Sequence, residues 1–448
     1  MAGKKIAHNR LVFIDIARSI AILMMLEGHF IVMALTDEYR GSEHFFYEAW
    51  RFTRGLTAPL FFTVSGLVFT YLLVRKEEPF FSNVRVKKGL SRVVKLILWG
   101  YALQLNLLYL LKGEFSGFLY VFHVLQCIGL SLFAVILLYG FQRLIKVVPF
   151  YVILGLCGIF AFIIKPTIYA LDFSSMHPFF ENIFVVTSEN REFKSIFPII
   201  PWVGFTLLGA MIGSFVSKRP QHVYTIWFPS ILLILAVVLN TLPELFIQLI
   251  QPPLVNLGLE PFTGLGYLFA RFGQVLLILA VIIIVGKYKR YLRFLYRRKL
   301  TFLRTWWIPV GFFVLGAVAL VYNVMLTGNG KPDHVSLLGT LTLGALGQFL
   351  IFIGIVITSA KLIHWNYDLF IKIGQNTLSI YIVHVIILYA GLFGFGLNTI
   401  LDRNLGPWFS IVGAIGFMLF FTYFVKYLEE IQGFYKRLFP RWWLNRKN

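Results

Sequence analysis

The stretch RLVFIDIARSIAILMMLEGHFIVMALT, residues 10–36, decides the class of this chain. It exceeds the ~20 residues a helix needs to cross the hydrocarbon core of a bilayer. Within it stand Asp15, Arg18, Glu27 and His29, side chains that are costly in lipid and that mark functional positions by default. Runs of the same length and apolar character follow at 56–74, 93–111, 118–140, 147–165, 196–216, 223–243, 265–286, 306–327, 335–360, 376–397 and 407–425. The composition agrees, since 58% hydrophobic and 14% charged residues cannot be wrapped into an ordinary soluble domain. The expectation is an all-α, polytopic transmembrane helix bundle of about 12 spans. Eleven result if the segment at 223–243, followed by Pro252 and Pro253, hides a re-entrant piece. One membrane-embedded domain fills residues 1–448, with a short N-terminal stretch, 1–10, and a basic tail, 427–448.

Cytoplasmic loops retain Lys and Arg during insertion, so the basic residues fix the orientation. With the N-terminus inside, alternate loops collect Lys4, Lys5 and Arg10, then Arg75, Lys76, Arg85, Lys87, Lys88 and Arg92. The same phase gathers the cluster from Lys287 to Arg304 and the tail ending at Arg446 and Lys447. Both termini are therefore expected in the cytoplasm, and the chain in a plasma membrane, the inner membrane of a bacterium. The net charge of +21 faces an anionic leaflet and needs no nucleic acid to explain it. Cys127 and Cys157 fall inside spans and imply no disulfide framework. The first apolar run lacks a small-residue cleavage site and is read as a retained helix rather than a signal peptide. The external loops 37–55 and 166–195 are short enough to act as lids. A faint echo between Gly273-Gln274-Val275-Leu276 and Gly347-Gln348-Phe349-Leu350 is too weak to establish a duplication.

On the first span, at about 100° per residue, Asp15 and Arg18 lie within a ~60° arc, and His29 returns to within ~20° of Arg18. One face of that helix is polar along most of its length. Glu27 points to nearly the opposite side and cannot be assumed to orient His29. Asp15 and Arg18 read equally well as a structural ion pair. In the second span, Pro59 is expected to kink the helix, while Ser65 and Gly66 allow close approach of backbone or ligand. Residues 85–92 form a basic cytoplasmic stretch, either an orientation anchor or a site for phosphates. His123 and Gln126 share a face of the fourth span. Trp202 leads into Gly204, Gly209 and Gly213, a small-residue packing seam, and the eleventh span carries Asn376 and His384.

Arg18 and His29 are separated by about 16 Å along the helix, comparable to a pantetheine arm. A cytoplasmic acyl-CoA would rest its phosphates on Arg85, Lys88, Arg92 and Arg18, pass Ser65, and present its thioester near His29. Histidine titrates near neutrality and suits a general base that takes a proton from an attacking hydroxyl or amine. An acyl-histidine intermediate is a variant of the same chemistry. Asp15, Arg18, Glu27 and His384 complete the candidate catalytic group. Arg54, His44, His123, Gln126, Trp202 and Asn376 are the candidates for the substrate side, several of them able to donate to a developing oxyanion. No metal constellation is evident, and Gly328-Asn329-Gly330-Lys331 lacks the phosphate-loop spacing.

At these residues the chain resembles the transmembrane acyltransferase superfamily, most closely the branch containing the catalytic region of heparan-alpha-glucosaminide N-acetyltransferase and its bacterial relatives. The matching pieces are Arg10 to Arg18 with Gly28-His29, Arg54 to Gly66, His123 to Gly129, Pro201 to Gly209, and Asn376 to His384. The resemblance implies transfer of an acyl group, usually acetyl, from cytoplasmic acyl-CoA to a sugar or lipid-linked acceptor on the far side of the membrane. It implies a catalytic histidine near the external end of the first span. His29 matches the bacterial Gly-His ending, whereas His44 sits closer to the position in the heparan branch. The lipid bilayer is the constant partner, and a homodimer is among the assemblies the sequence allows. A secondary transporter, or a lipid- or glycan-carrier handling protein without chemistry, are the competing classes.

Overall fold

A computed structural model describes residues 11–41, 43–75, 78–114, 117–173, 175–185, 195–261, 264–297, 307–328, 346–347, 350–351, 353–354, 357–358, 367–389 and 396–438. The N-terminal stretch, Lys76, Lys299, Arg304, Asn329 to Lys331, most of the 335–360 run with its Gly-Gln echo, and the end of the basic tail lie outside them. In chain order the helices are α1 (Val12–Ala34), α2 (Phe45–Arg54), α3 (Thr57–Leu73), α4 (Val84–Ala102), α5 (Leu107–Leu111), α6 (Val124–Ile145), α7 (Phe150–Ile163), α8 (Lys165–Ala170) and α9 (Pro178–Phe184). They continue with α10 (Ile199–Lys218), α11 (Trp227–Thr241), α12 (Pro243–Val255), α13 (Gly266–Arg297), α14 (Trp307–Gly328), α15 (Tyr367–Gln375), α16 (Thr377–Tyr389), α17 (Leu397–Leu401) and α18 (Pro407–Leu438). Among the described residues there is no strand beyond an isolated bridge between Leu35 and Leu405.

The all-α expectation holds, and the chain is an integral membrane protein. Among the described residues six stretches are long and apolar enough to cross a bilayer: Val12–Ala34, Phe46–Leu73, Gly117–Ile145, Ile199–Lys218, Gly266–Tyr288 and Pro407–Leu428. The bent pair Asp368–Gln375 and Thr377–Tyr389 makes a seventh if it counts as one span. Phe150–Ile163 and Trp227–Thr241 are apolar but shorter than the runs expected there, whereas α14, Trp307–Gly328, has the length of the run expected at 306–327. The run expected as a span at 93–111 is not among these stretches; the helix there is α4, Val84–Ala102. The Asn83 side chain accepts from the backbone N–H of Arg85 at 2.8 Å and starts α4 at Val84, so the basic residues 85–92 are helical. Loop 37–55 likewise contains α2. Pro59 stands in the first turn of α3, where its missing N–H has no intrahelical partner to lose.

The chain forms two compact units, the first comprising residues 1–58, 102–116 and 366–448, the second 59–101 and 117–365. In the first unit α1 packs against α15, α16, α17 and α18. Its C-terminal carbonyls, which would otherwise be orphaned, are taken up by neighbours. Arg403 N–H donates to Met33 O at 3.1 Å and Leu405 N–H to Ala34 O at 2.8 Å. The Arg40 guanidinium donates to the carbonyls of Val32 and Leu35. On this loop, burial and the neighbouring charge of Arg403 lower the Arg40 pKa, with Asp37 opposing.

In the second unit α10 is the hub, packed on α6 and α7, while α11 pairs with α13. The expected small-residue seam is real. A Cβ at Gly209 would meet the Thr63 backbone, one at Gly213 the Leu67 backbone, and one at Gly66 the Thr206 carbonyl. Without a hydrophobic drive between helices in lipid, this backbone-to-backbone approach supplies the packing. Gly209→Ala should therefore destabilise the protein by about 1–3 kcal/mol. Gly416→Ala in α18, where a Cβ meets nothing within 4 Å, should be neutral. Thermal unfolding of the two variants in detergent, side by side, checks this contrast.

Candidate functional site

The polar stripe of α1 meets the bent pair α15–α16. At its lower end the Arg18 guanidinium donates to Thr377 Oγ1 at 2.9 Å and lies 4.0 Å from the Asp15 carboxylate. One residue on, the fully buried Ser19 hydroxyl is 3.0 Å from the Asp15 carbonyl and 2.5 Å from the Phe370 carbonyl. Gly374 lets α15 come this close, for a Cβ there would stand 2.7 Å from Ser19 Oγ and overlap the Asp15 carbonyl. The helix then turns by 75° around Asn376, whose amide donates to Lys372 O at 2.9 Å and ends α15. Thr377 begins α16 just where Arg18 can reach it.

Eleven residues along α1, His29 meets the same helix further up. Its Nδ1 is 2.9 Å from the Tyr389 hydroxyl. Its ring packs edge-on against His384, with centroids 5.2 Å apart and planes at 88°. His384 is completely buried and its ring lies against Tyr381 at 4.9 Å. The carbonyls of Ile380 and Tyr381, a turn back, are near this ring without making a well-aligned hydrogen bond to it. Two of the histidines singled out from sequence, His29 and His384, are thus together, and a tyrosine has joined them.

Glu27 faces elsewhere, as its position on the helix requires. Its carboxylate accepts from the Trp50 indole N–H at 2.5 Å, and the Arg54 guanidinium stands 5.6 Å over the Trp50 ring. The Arg54 side chain lies across Gly28, 3.2 Å from where a Cβ would be. Arg54 is also close enough to act electrostatically on both Glu27 and Tyr389. His44 is at the other end of α2 from Arg54, about 15 Å away along that helix. Its Nε2 is 2.9 Å from the Glu38 carbonyl. The structure therefore gathers Glu27, Arg54 and His29 around Gly28, and leaves His44 outside that group.

The remaining candidates are in the second unit. Arg85, Lys88 and Arg92 follow at three- and four-residue spacing and form one stripe on α4. Cations in the first turns of a helix oppose its dipole, so helix stability does not account for them. Ser65 is half-buried on α3. The Gln126 amide is packed on Gly100 of α4, while His123 is the residue before α6 rather than inside it, its ring against Phe118. Trp202 is stacked on Phe62 at 5.3 Å and touches Phe197 and Phe205, the heart of an aromatic cluster. Among the described residues no group of three or more His, Cys, Asp or Glu could hold a metal ion.

Sequence reasoning missed Tyr389, Trp50 and Thr377. In a chain that is 17% aromatic, Tyr and Trp carry no signal of their own. Thr377 becomes informative only once the break at Asn376 is seen. Trp50→Phe removes the indole donor from Glu27 and should lower stability by about 1–3 kcal/mol. Glu27→Gln, which keeps an acceptor for the indole, should cost less, and thermal unfolding of both variants tests that order.

A family model described as heparan-alpha-glucosaminide N-acetyltransferase, catalytic, matches residues 10–253, more than half of the chain. The match takes in α1 with His29, α2 with Arg54 and the basic stripe of α4, and stops short of α15 and α16. No curated protein matches the chain significantly.

Proposed function

Because the chain belongs to the family of the heparan-alpha-glucosaminide N-acetyltransferase catalytic region, we propose that it is an acetyltransferase working across a membrane. The donor is cytoplasmic acetyl-CoA, and the acceptor is an amine or hydroxyl of a sugar or lipid-linked glycan on the opposite side. The observation that carries this reading is His29, within the matched region, with its Nδ1 on Tyr389 and its ring against His384. A general base needs a defined ring orientation before it needs anything else.

His29 takes the proton of the acceptor as its nitrogen or oxygen attacks the thioester carbonyl. The new C–N or C–O bond forms, the C–S bond breaks, and the CoA thiolate leaves and is protonated. Arg54, beside Gly28, is suited to stabilise the oxyanion as it develops. Arg85, Lys88 and Arg92 on α4 hold the donor phosphates, with Ser65 as a further donor-side contact. Arg18 is engaged by Asp15 and Thr377, and we assign it to holding α1 on α16. Both termini are cytoplasmic in this reading, with about 12 spans in a bacterial inner membrane, the basic loops facing the anionic leaflet.

The 75° break between α15 and α16 is the one observation favouring a secondary transporter, since transporters use broken helices at their binding sites. The two readings separate on acetyl-CoA. At about 100 times its dissociation constant the donor should stabilise the purified protein by ~2.7 kcal/mol. Arg92→Ala should weaken that stabilisation, and its complete absence from the wild-type protein would favour the transporter. His29→Ala should keep the stabilisation while abolishing CoA release from acetyl-CoA in the presence of methyl α-D-glucosaminide. Full turnover in this variant would move the base to His44.

A further inference from the structure

A histidine acting as base has two ring nitrogens, and its surroundings decide which of them is basic. Imidazole is a base only at the nitrogen without a proton, and the hydrogen bond at the other nitrogen fixes which that is. On α16 the group at that position is the hydroxyl of Tyr389, 2.9 Å from Nδ1. A phenol oxygen can accept or donate here. If it donates, the ring proton is on Nε2, and Nδ1, the nitrogen facing Tyr389, holds the lone pair. If it accepts, Nδ1 keeps its proton, Nε2 holds the lone pair, and the bond survives when Nε2 takes up a second proton. Only the second arrangement serves a base that must cycle between two protonation states without turning.

We propose that Tyr389 is a positioning residue whose oxygen accepts the Nδ1 proton of His29 and so presents Nε2 to the acceptor. The proposal rests on the reading of His29 as the base. The edge-on ring of His384, wholly buried, limits rotation of the imidazole in the same geometry. During transfer the acceptor proton moves to Nε2 and is returned to the departing thiolate, while Tyr389 keeps its own proton throughout. Among the described residues, Tyr389 and His384 on α16 face His29, and Arg54 on α2 lies across the neighbouring Gly28. Glu27 is turned to Trp50. From α17 and from Pro407 to Thr422 of α18 the sequence supplies no titratable side chain.

Carbethoxylation by diethyl pyrocarbonate reads this bond without any acceptor or donor, because the reagent attacks only unprotonated imidazole. The full-length protein in detergent is modified across pH, and each of its 9 histidines is followed by peptide mass spectrometry. An Nδ1–H···O bond favours the imidazolium, so the wild-type midpoint for His29 should exceed that of Tyr389→Phe by about 0.5–1 pH unit. The sign follows from the loss of a partner that stabilises the charged form, and the midpoints of His44 and His177 should not move. Tyr389→Gln, which retains an acceptor, should stay near wild type. Turnover of Tyr389→Phe with acetyl-CoA should fall about tenfold in kcat at unchanged KM, with its acid limb moved down in pH. An unchanged His29 midpoint in the Phe variant, or an equal displacement in the Gln variant, overturns the proposal. Turnover of His29→Ala tests the base assignment separately: if that variant is active the base reading fails, whatever the carbethoxylation shows.

Discussion

A polar group inside a bilayer has no water to fall back on, and the first unit of this protein is arranged around that constraint. The stripe of Asp15, Ser19, Arg18 and His29 on α1 requires partners, and α15 and α16 provide them within a few residues of one another. Ser19 bonds the Phe370 carbonyl, Arg18 bonds Thr377, and His29 meets Tyr389. Because the contacts advance along both segments in the same direction, α1 and α16 run parallel. The bend at Asn376 belongs to the same arrangement: it frees the start of α16, and Thr377 at that start receives Arg18.

The division of labour along α1 follows from this. Its lower half is committed to holding helices together, with an ion pair, two backbone carbonyls and a glycine that permits the approach. Its upper half carries groups on two faces. His29 is turned to α16, and Glu27, two residues away, is turned to Trp50 of α2. Gly28 between them lets the Arg54 side chain of α2 lie across the helix. In the proposed reading the His29 imidazole accepts a proton and the Arg54 guanidinium meets the developing negative charge.

The second unit is built on a different principle. There the glycines of α10 and α3 replace polar pairing with close backbone contact, and aromatic rings such as Phe62, Trp202 and Phe205 fill the remaining space. Trp202, a substrate candidate from its motif, is engaged in this cluster. The basic residues of α4 add charge to this unit. Asn83 draws them into a helix, where they form a stripe rather than a loose loop.

By itself the sequence determined the class of the protein, the polar face of α1, the opposite heading of Glu27 and the small-residue seam at Gly209 and Gly213. These follow from hydropathy over ~20 residues and from the 3.6-residue period, both of which are local properties of the chain. The family was legible for the same reason, since its motifs are short and lie in order. Only the tertiary structure decided which groups meet. Tyr389 is 360 residues from His29 and shares no pattern with it. The early start of α4 depended on one asparagine cap, and the fate of His44 on the length of α2. Periodicity tells which face a side chain occupies, whereas its partner is set by how helices distant in sequence pack. On that packing depends the step from a histidine in a membrane helix to a histidine held by Tyr389 and His384.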